Sequence, residues 1–396
     1  MRALDTLSTA SVLDAPAASG RFPVVLAATD GSIASASLLF EYLASHGMVV
    51  MVVASPMSYA TQQVARAGLV VEARVRDYEY LLDRAHELPF VDTTRIALFG
   101  GNFDAMAALA FQMKNMAARA VVSLDGWEGK QNSVETVRSS LHYNPRRLRV
   151  PYLTIQQHET NPQGGLVLTP AVFDSLVYSD RQWLVFDRMT HAYLIGNPLV
   201  YPDLPAEKRR AYELLVRSVE RFLTSALGET PRPLTTLATA EGGNDGHSPL
   251  LKEAIRREAR PPVPDEAELE RLIMVDRAVD KVAGILRQAR QTDSNFVLFP
   301  QGTMALYAFR FSRMNDKAFT LRLLALNAEA YPRSWSAADA LGDGHREMGD
   351  TTNAIQSYQS AVTLLGQIPV SGDASAAAEV AEARQQIEAK INGLRR

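Results

Sequence analysis

Three positions in the first half of the chain stand where a nucleophile, an acid and a base could work as a relay. A strand-like run followed by a tight turn of small residues and then a helix lifts one central side chain onto a strained turn, where it can meet a substrate. The segment Ile96 to Ala110, IALFGGNFDAMAALA, has that layout, and its central position is Asn102. Asp125 follows the apolar run AVVSL, 23 residues past Asn102, and His191 follows the run QWLVF. Both stand at the carboxyl end of a strand-like segment, in the chain order that such a relay uses. An aspartate before glycine is also a common turn residue, and a lone histidine is often only a hydrogen-bonded side chain, so the combination carries the reading. A serine hydroxyl attacks by handing its proton to a histidine, whereas a carboxamide has no comparably acidic proton. Asn102 is therefore not expected to form an acyl-enzyme.

Around these residues the chain resembles the bacterial α/β-hydrolases of the dienelactone hydrolase and platelet-activating-factor acetylhydrolase group. The likeness rests on the lead-in VDTTRIALFG, the start GRFPVVL, the phrase EYLASHGMVVMVVASP at Glu41 to Pro56 and the phrase Leu-Asp-Gly-Trp at 124–127. It covers roughly Arg21 to Leu227. The resemblance implies that Gly100 is the first small residue of a Gly-His-Ser-Phe-Gly elbow, with Gly101 replacing the histidine, Asn102 the nucleophilic serine and Asp104 the second glycine. It implies Asp125 as the acid, His191 as the base, and an oxyanion or pocket set of Asp30, Gly31, Phe103, Asp104 and Trp127. Two further departures weaken ester hydrolysis. AATDGS, Ala27 to Ser32, puts Asp30 near where backbone amides should greet an oxyanion, and Asp104 is expected to repel that charge and to crowd the helix against the strand.

Other arrangements are weaker. Asp104 as a carboxylate nucleophile sits two residues from the elbow tip, between the large neighbours Asn102 and Met106. Glu159, after His158, is the runner-up acid, with a solvated loop as its plain alternative. Gly246-His247-Ser248 has no strand before it, and Ser123, on the strand ahead of Asp125, is expected to point away from the site. No HExxH, Walker lysine, EF-hand loop or GxGxxG motif is present, so neither a metal nor another cofactor is expected.

The elements that must position these residues follow from periodicity. Phe22–Ala27, Val49–Ala54, Ile96–Phe99, Ala120–Leu124, Pro151–Gln156 and Gln182–Phe186 read as buried strands, with helices over 35–46, 78–87, 105–117 and 206–227 between and after them. That alternation predicts an α/β-hydrolase fold, a mostly parallel sheet flanked by helices, over residues 1–227. Residues 228–264, with Pro-Arg-Pro, Gly-Gly-Asn-Asp-Gly and Pro-Pro-Val-Pro, read as a flexible linker. From 265 to 396 the strand signal fades and helical spacing takes over. Met314/Met348, Asp316/Asp350, Leu321/Ile355, Leu324/Tyr358 and Ala328/Val362 match at an offset of 34, and Ala338 to Leu365 resembles the tetratricopeptide pattern. An all-α tetratricopeptide-like domain is expected there, closed by a helix over 375–394.

Composition narrows the partners. The 396 residues carry 44 acidic and 41 basic side chains, a net −3, which gives no basic field for nucleic acid. Zero cysteines exclude a thiol nucleophile, a disulfide scaffold and cysteine-ligated metals. No apolar run reaches the ~20 residues of a membrane span. The opening Met1-Arg2-Ala3-Leu4-Asp5 lacks a secretory layout, so the compartment stays open: secreted or periplasmic where a signal was removed, cytoplasmic otherwise. The sequence predicts a degenerate hydrolase that binds a small ester-like or lipid-like ligand, or a protein or peptide through its helical repeats. The alternative is a weakly active carboxylic-ester hydrolase acting on short acyl esters or lipids with His191 as base.

Overall fold

The computed structural model describes residues 11–30, 36–55, 67–158, 167–195, 203–229, 248–368 and 374–395. The chain divides into two compact units, Met1–Pro262 and Val263–Arg396.

The first unit is built on a seven-stranded sheet of order β2-β1-β3-β4-β5-β6-β7. Its strands are β1 (Phe22–Asp30), β2 (Val49–Ser55), β3 (Val91–Gly101), β4 (Ala120–Leu124), β5 (Tyr152–His158), β6 (Arg181–Asp187) and β7 (Leu251–Arg257). β1 to β6 run parallel and β7 is antiparallel to β6. Parallel strands are buried on both faces, which is why they read as unbroken apolar runs, and successive residues feed opposite layers. Val24, Leu26, Ile96, Leu98 and Val121 join one core with α2 (Ala67–Glu87) and α3 (Asp104–Asn115). Val25, Ala27, Ala97, Phe99, Val122 and Leu124 join the other with α1 (Ser37–Ser45) and α7 (Ala206–Leu227). Full burial of each valine, leucine, isoleucine or phenylalanine among them stabilises by about 1.5–3 kcal/mol, so the two layers fix the sheet. Among the described residues the unit also has three short α-helices, α4 (Val134–Arg138), α5 (Ala171–Ser175) and α6 (His191–Ile195). A mostly parallel sheet covered by helices, followed by an all-helical unit, is the expected fold class.

The stretch read from sequence as a linker, 228–264, contains β7. Leu251–Arg257, LKEAIRR, is half charged and carries no strand signal by composition; its partners make it a strand. It pairs with β6 from Arg181↔Arg257 to Phe186↔Leu251, Trp183 Nε1 donates to Glu253 Oε2 at 2.9 Å, and Arg256 meets Asp180 at 3.1 Å. Charged side chains suit a strand at the end of a sheet.

The second unit is helical: α8 (Glu266–Met274), α9 (Val279–Thr292), α10 (Gln301–Arg313), α11 (Lys317–Ala330), α12 (Trp335–Glu347), α13 (Thr351–Leu365) and α14 (Ala374–Leu394). α10 and α12 begin 34 residues apart, at Gln301 and Trp335, and α11 and α13 likewise, at Lys317 and Thr351. The same cap recurs at that spacing: Asp316 accepts from the Phe319 N–H at 3.2 Å, and Asp350 from the Asn353 N–H at 3.1 Å. A Cβ on Gly342 would lie 2.5 Å from the Tyr358 ring, so glycine lets α12 and α13 approach closely. Among the described residues no helix is long and apolar enough to cross a membrane.

Candidate functional site

β3 hands over to α3 through only two residues, Asn102 and Phe103. A Cβ on Gly100 would stand 2.5 Å from Ala105 Cα and 2.6 Å from Ala105 N, so the turn closes only around a glycine there; at Gly101 nothing lies within 4 Å. Asn102 takes φ 54°, the left-handed region that asparagine tolerates better than most side chains. Its N–H donates to Leu124 O at 2.9 Å, and its carbonyl accepts from the Trp127 N–H at 3.3 Å. The elbow is thereby bonded to the residues on either side of Asp125.

The Asn102 side chain is itself held. The Trp127 indole Nε1 donates to Asn102 Oδ1 at 2.6 Å. An indole N–H is only a donor, so the carboxamide oxygen must face Trp127 and the amide nitrogen the other way. Phe103 is fully buried with its ring edge-on to Trp127, centroids 5.4 Å apart. Asn102 is 7% exposed, with a backbone and side chain both tied down.

Asp125, at the end of β4, also takes a positive φ, 48°, and its N–H donates to Ile155 O at 2.7 Å. Its carboxylate is fully buried, and Oδ2 accepts from Nδ1 of His191, the first residue of α6. Because the carboxylate accepts, the proton of that bond sits on Nδ1, and Nε2 lies on the opposite edge of the ring. The structure therefore brings Asp125 and His191 into contact and joins the Asp125 turn to Asn102. Glu159, the runner-up acid, lies outside the described residues. Its neighbour His158 faces Asp187 at 3.9 Å and accepts from Lys252 Nζ.

Asp104 departs from the sequence expectation. It is fully buried in the first turn of α3, and Arg74 Nε from α2 stands 2.9 Å from its Oδ1, with Arg74 itself 1% exposed. The groups sit at ion-pair distance without hydrogen-bond alignment. The carboxylate charge is offset locally, and the close approach of strand and helix occurs at Gly100 against Ala105. Crowding by Asp104 does not arise. Nearby, burial first and the Asp104 charge second push the Tyr78 hydroxyl well above its usual range; that hydroxyl donates to Phe99 O at 2.8 Å.

Two more buried groups shape the acid turn. Lys130 Nζ stands 3.4 Å from Asp125 Oδ1. Glu128 Oε1 accepts from Ser123 Oγ, from Tyr152 OH at 2.8 Å and from Thr154 Oγ1 at 3.4 Å, and burial raises its carboxyl above the ordinary value. Ser123 thus faces Glu128. A Cβ on Gly126 would sit 2.0 Å from Glu128 Oε2, so the Asp-Gly turn is fitted to this carboxyl. Sequence reasoning missed Arg74, Glu128 and Lys130. Arg74 had a signal, a basic residue on the apolar stripe Val71, Val75 and Tyr78 of α2.

Of the remaining pocket residues, Asp30 ends β1 beside Ser55, and Gly31 lies outside the described residues, as do Gly246 and His247 of the decoy serine motif. Ser248 is buried in the turn into β7, where its carbonyl accepts from the Leu251 N–H at 3.0 Å. A small cavity lined by Val71, Met106, Leu109, Ala110, Val137, Ser140 and Tyr143 lies on the α2–α3 side of the sheet and touches none of Asn102, Asp125 and His191.

No protein-family model matches the sequence, and no curated protein matches it. Among solved structures the chain is similar to a ferulic acid esterase from Streptomyces cinnamoneus, at 19% identity and a TM-score of 0.45, over 62% of this chain and 76% of that one.

Proposed function

We propose that the sheet unit is a hydrolase-fold protein that has lost nucleophilic catalysis and retains a binding role, with Asn102 at the nucleophile position, Asp125 at the acid and His191 at the base. The observation that carries this reading is the Asn102 carboxamide on the elbow tip, pinned by the Trp127 indole at 2.6 Å. A group so held offers an ordered hydrogen-bonding surface and no proton to give up. Its ligand would be small and ester-like or lipid-like, as the resemblance to the dienelactone hydrolase and acetylhydrolase group suggests. The helical unit, on its 34-residue spacing, is tetratricopeptide-like and would take a protein or peptide.

A second reading keeps hydrolysis. His191 donates to a buried carboxylate and its side chain is 38% exposed, the arrangement of a base that could activate water directly. A fluorophosphonate probe separates the two together with short acyl esters as substrates. Under the binding reading the wild type is neither labelled nor active, and Asn102→Ser gains labelling at position 102. Because Arg74 offsets Asp104, that single substitution should suffice. Turnover by the wild type that is abolished in His191→Ala would establish the hydrolytic reading and overturn the first.

A further inference from the structure

In the helical unit, α10 turns an apolar face to solvent. Met304, Tyr307, Ala308 and Phe311 enter the core, while Gly302, Ala305, Leu306 and Phe309 lie on the other side of the helix, with Leu306 54% and Phe309 61% exposed. The repeat spacing shows that such a face is not a requirement of the packing. Thirty-four residues further on, Gly302, Ala305, Leu306 and Phe309 become Ser336, Asp339, Ala340 and Asp343 of α12. There Lys390 of α14 meets both carboxylates, its Nζ 2.8 Å from Asp339 and 2.9 Å from Asp343. The face that is acidic on α12, and matched by a cation of the same chain, is apolar and open on α10, the mark of a surface that another molecule covers.

Size and charge along this face both have two-fold symmetry. Gly302 and Ala305 lie toward the amino end of α10 and Leu306 and Phe309 toward its carboxyl end, and a Cβ on Gly302 would meet nothing within 4 Å. Two copies of α10 laid antiparallel about an axis between Ala305 and Leu306 set Phe309 of each opposite Gly302 of the other, and Leu306 opposite Ala305. A large side chain then faces a small one at every level, as close packing requires. Glu270 of α8 faces the Tyr307 hydroxyl and Glu266 is near enough to bear on it, while Arg277, just past α8, meets Asp316 and lies 5.1 Å from the Phe311 ring centroid. α8 thus runs beside α10 with its acidic first turn toward the amino end, and Arg310 and Arg313 are exposed at the carboxyl end. The same rotation brings the acidic end of each copy to the basic end of the other. A partner of uniform charge would be repelled at one of the two ends.

We propose that the exposed face of α10 pairs with the same face of a second copy of this chain, antiparallel, with Phe309 seated over Gly302 and Arg310 toward Glu266. The inference rests on the reading of the helical unit as a protein-binding module and names the protein; it is independent of what Asn102 does. The 13 residues of α10 span about 20 Å, and one helix pair of that length buries less than a standard interface, so dissociation at about 10 μM is expected.

Sedimentation velocity of the full chain over about 1–100 μM tests this, and the wild type should pass from monomer to dimer across that range. Phe309→Asp should raise the dissociation constant by about tenfold or more. Gly302→Leu should weaken pairing although it adds apolar surface, because it fills the hollow that takes Phe309; since leucine favours a helix over glycine, this variant decides the matter where Phe309→Asp fails to fold. Arg310→Glu should weaken pairing too, and adding Glu266→Arg to it should restore pairing. A wild type that stays monomeric at about 100 μM overturns the inference and leaves the protein-binding reading of the helical unit to a different partner. A dimer indifferent to Phe309→Asp, tightened by Gly302→Leu, or left weak by the charge exchange overturns it as well, because pairing would then use another face or no defined one.

Discussion

Replacing Arg74 by methionine leaves the Asp104 carboxylate, fully buried in the first turn of α3, without its cation. At 2.9 Å and an effective dielectric constant of about 20, the pair attracts by about 6 kcal/mol before desolvation is counted. Removing one partner of such a buried pair costs about 3–5 kcal/mol, because the other charge stays buried. Removing both charges, as in Arg74→Met with Asp104→Asn, should cost less than the arginine substitution alone. Urea unfolding followed by the fluorescence of Trp127 and Trp183, which both lie in the sheet unit, measures this. With an m-value of about 3 kcal/mol/M, a 4 kcal/mol loss lowers the midpoint by about 1.3 M. A loss under about 1 kcal/mol for Arg74→Met, or a double variant weaker than both single ones, would refute the charge pairing and leave the Asp104 charge facing the elbow.

Gly100→Ala should destabilise the sheet unit by about 1–3 kcal/mol, since its Cβ meets Ala105 backbone at 2.5 Å, whereas Gly101→Ala should fall within about 0.5 kcal/mol of wild type; equal losses in thermal unfolding would contradict the elbow geometry. Burial raises the Glu128 carboxyl above its ordinary 4.5, so the folded state holds that proton more tightly than the unfolded one, and the stabilisation present below pH 4.5 is lost as pH rises through the raised value. Glu128→Gln, which keeps an oxygen for Ser123 and Tyr152, should flatten that fall in a stability–pH series; an unaltered slope would show that another group causes it.

Much of the fold was legible because strands and helices write their own periods into the chain. The runs PVVLA, IALFG and AVVSL each appear as strands whose alternate residues enter opposite cores, and Asp265, Asp316 and Asp350 each cap the helix that follows. β7 was not legible, because Leu251–Arg257 is too charged to read as a strand and owes its form to pairing with β6. At the site, the turn at Asn102 and the acidic Asp-Gly turn were visible as breaks after apolar runs. Their electrostatics were not. The sequence reading treated Asp104 as an unbalanced carboxylate because its cation lies 30 residues earlier, on a helix from a different connection.

What the chain determined by itself is the alternation of β1 to β6 with the long helices, the helical character of the second unit, the placement of Asn102, Asp125 and His191 after strand-like runs, and the lack of a hydroxyl or thiol at the elbow tip. These are properties of local spacing and side-chain chemistry. Which way the Asn102 amide faces, which carboxylate accepts the His191 hydrogen bond, and which cations stand beside Asp104 and Asp125 were decided only when β3, β4, α2 and α6 came together. The physical reason is distance: a charge is offset only by a partner a few ångströms away, and packing sets that separation without regard to how far apart the residues stand in sequence.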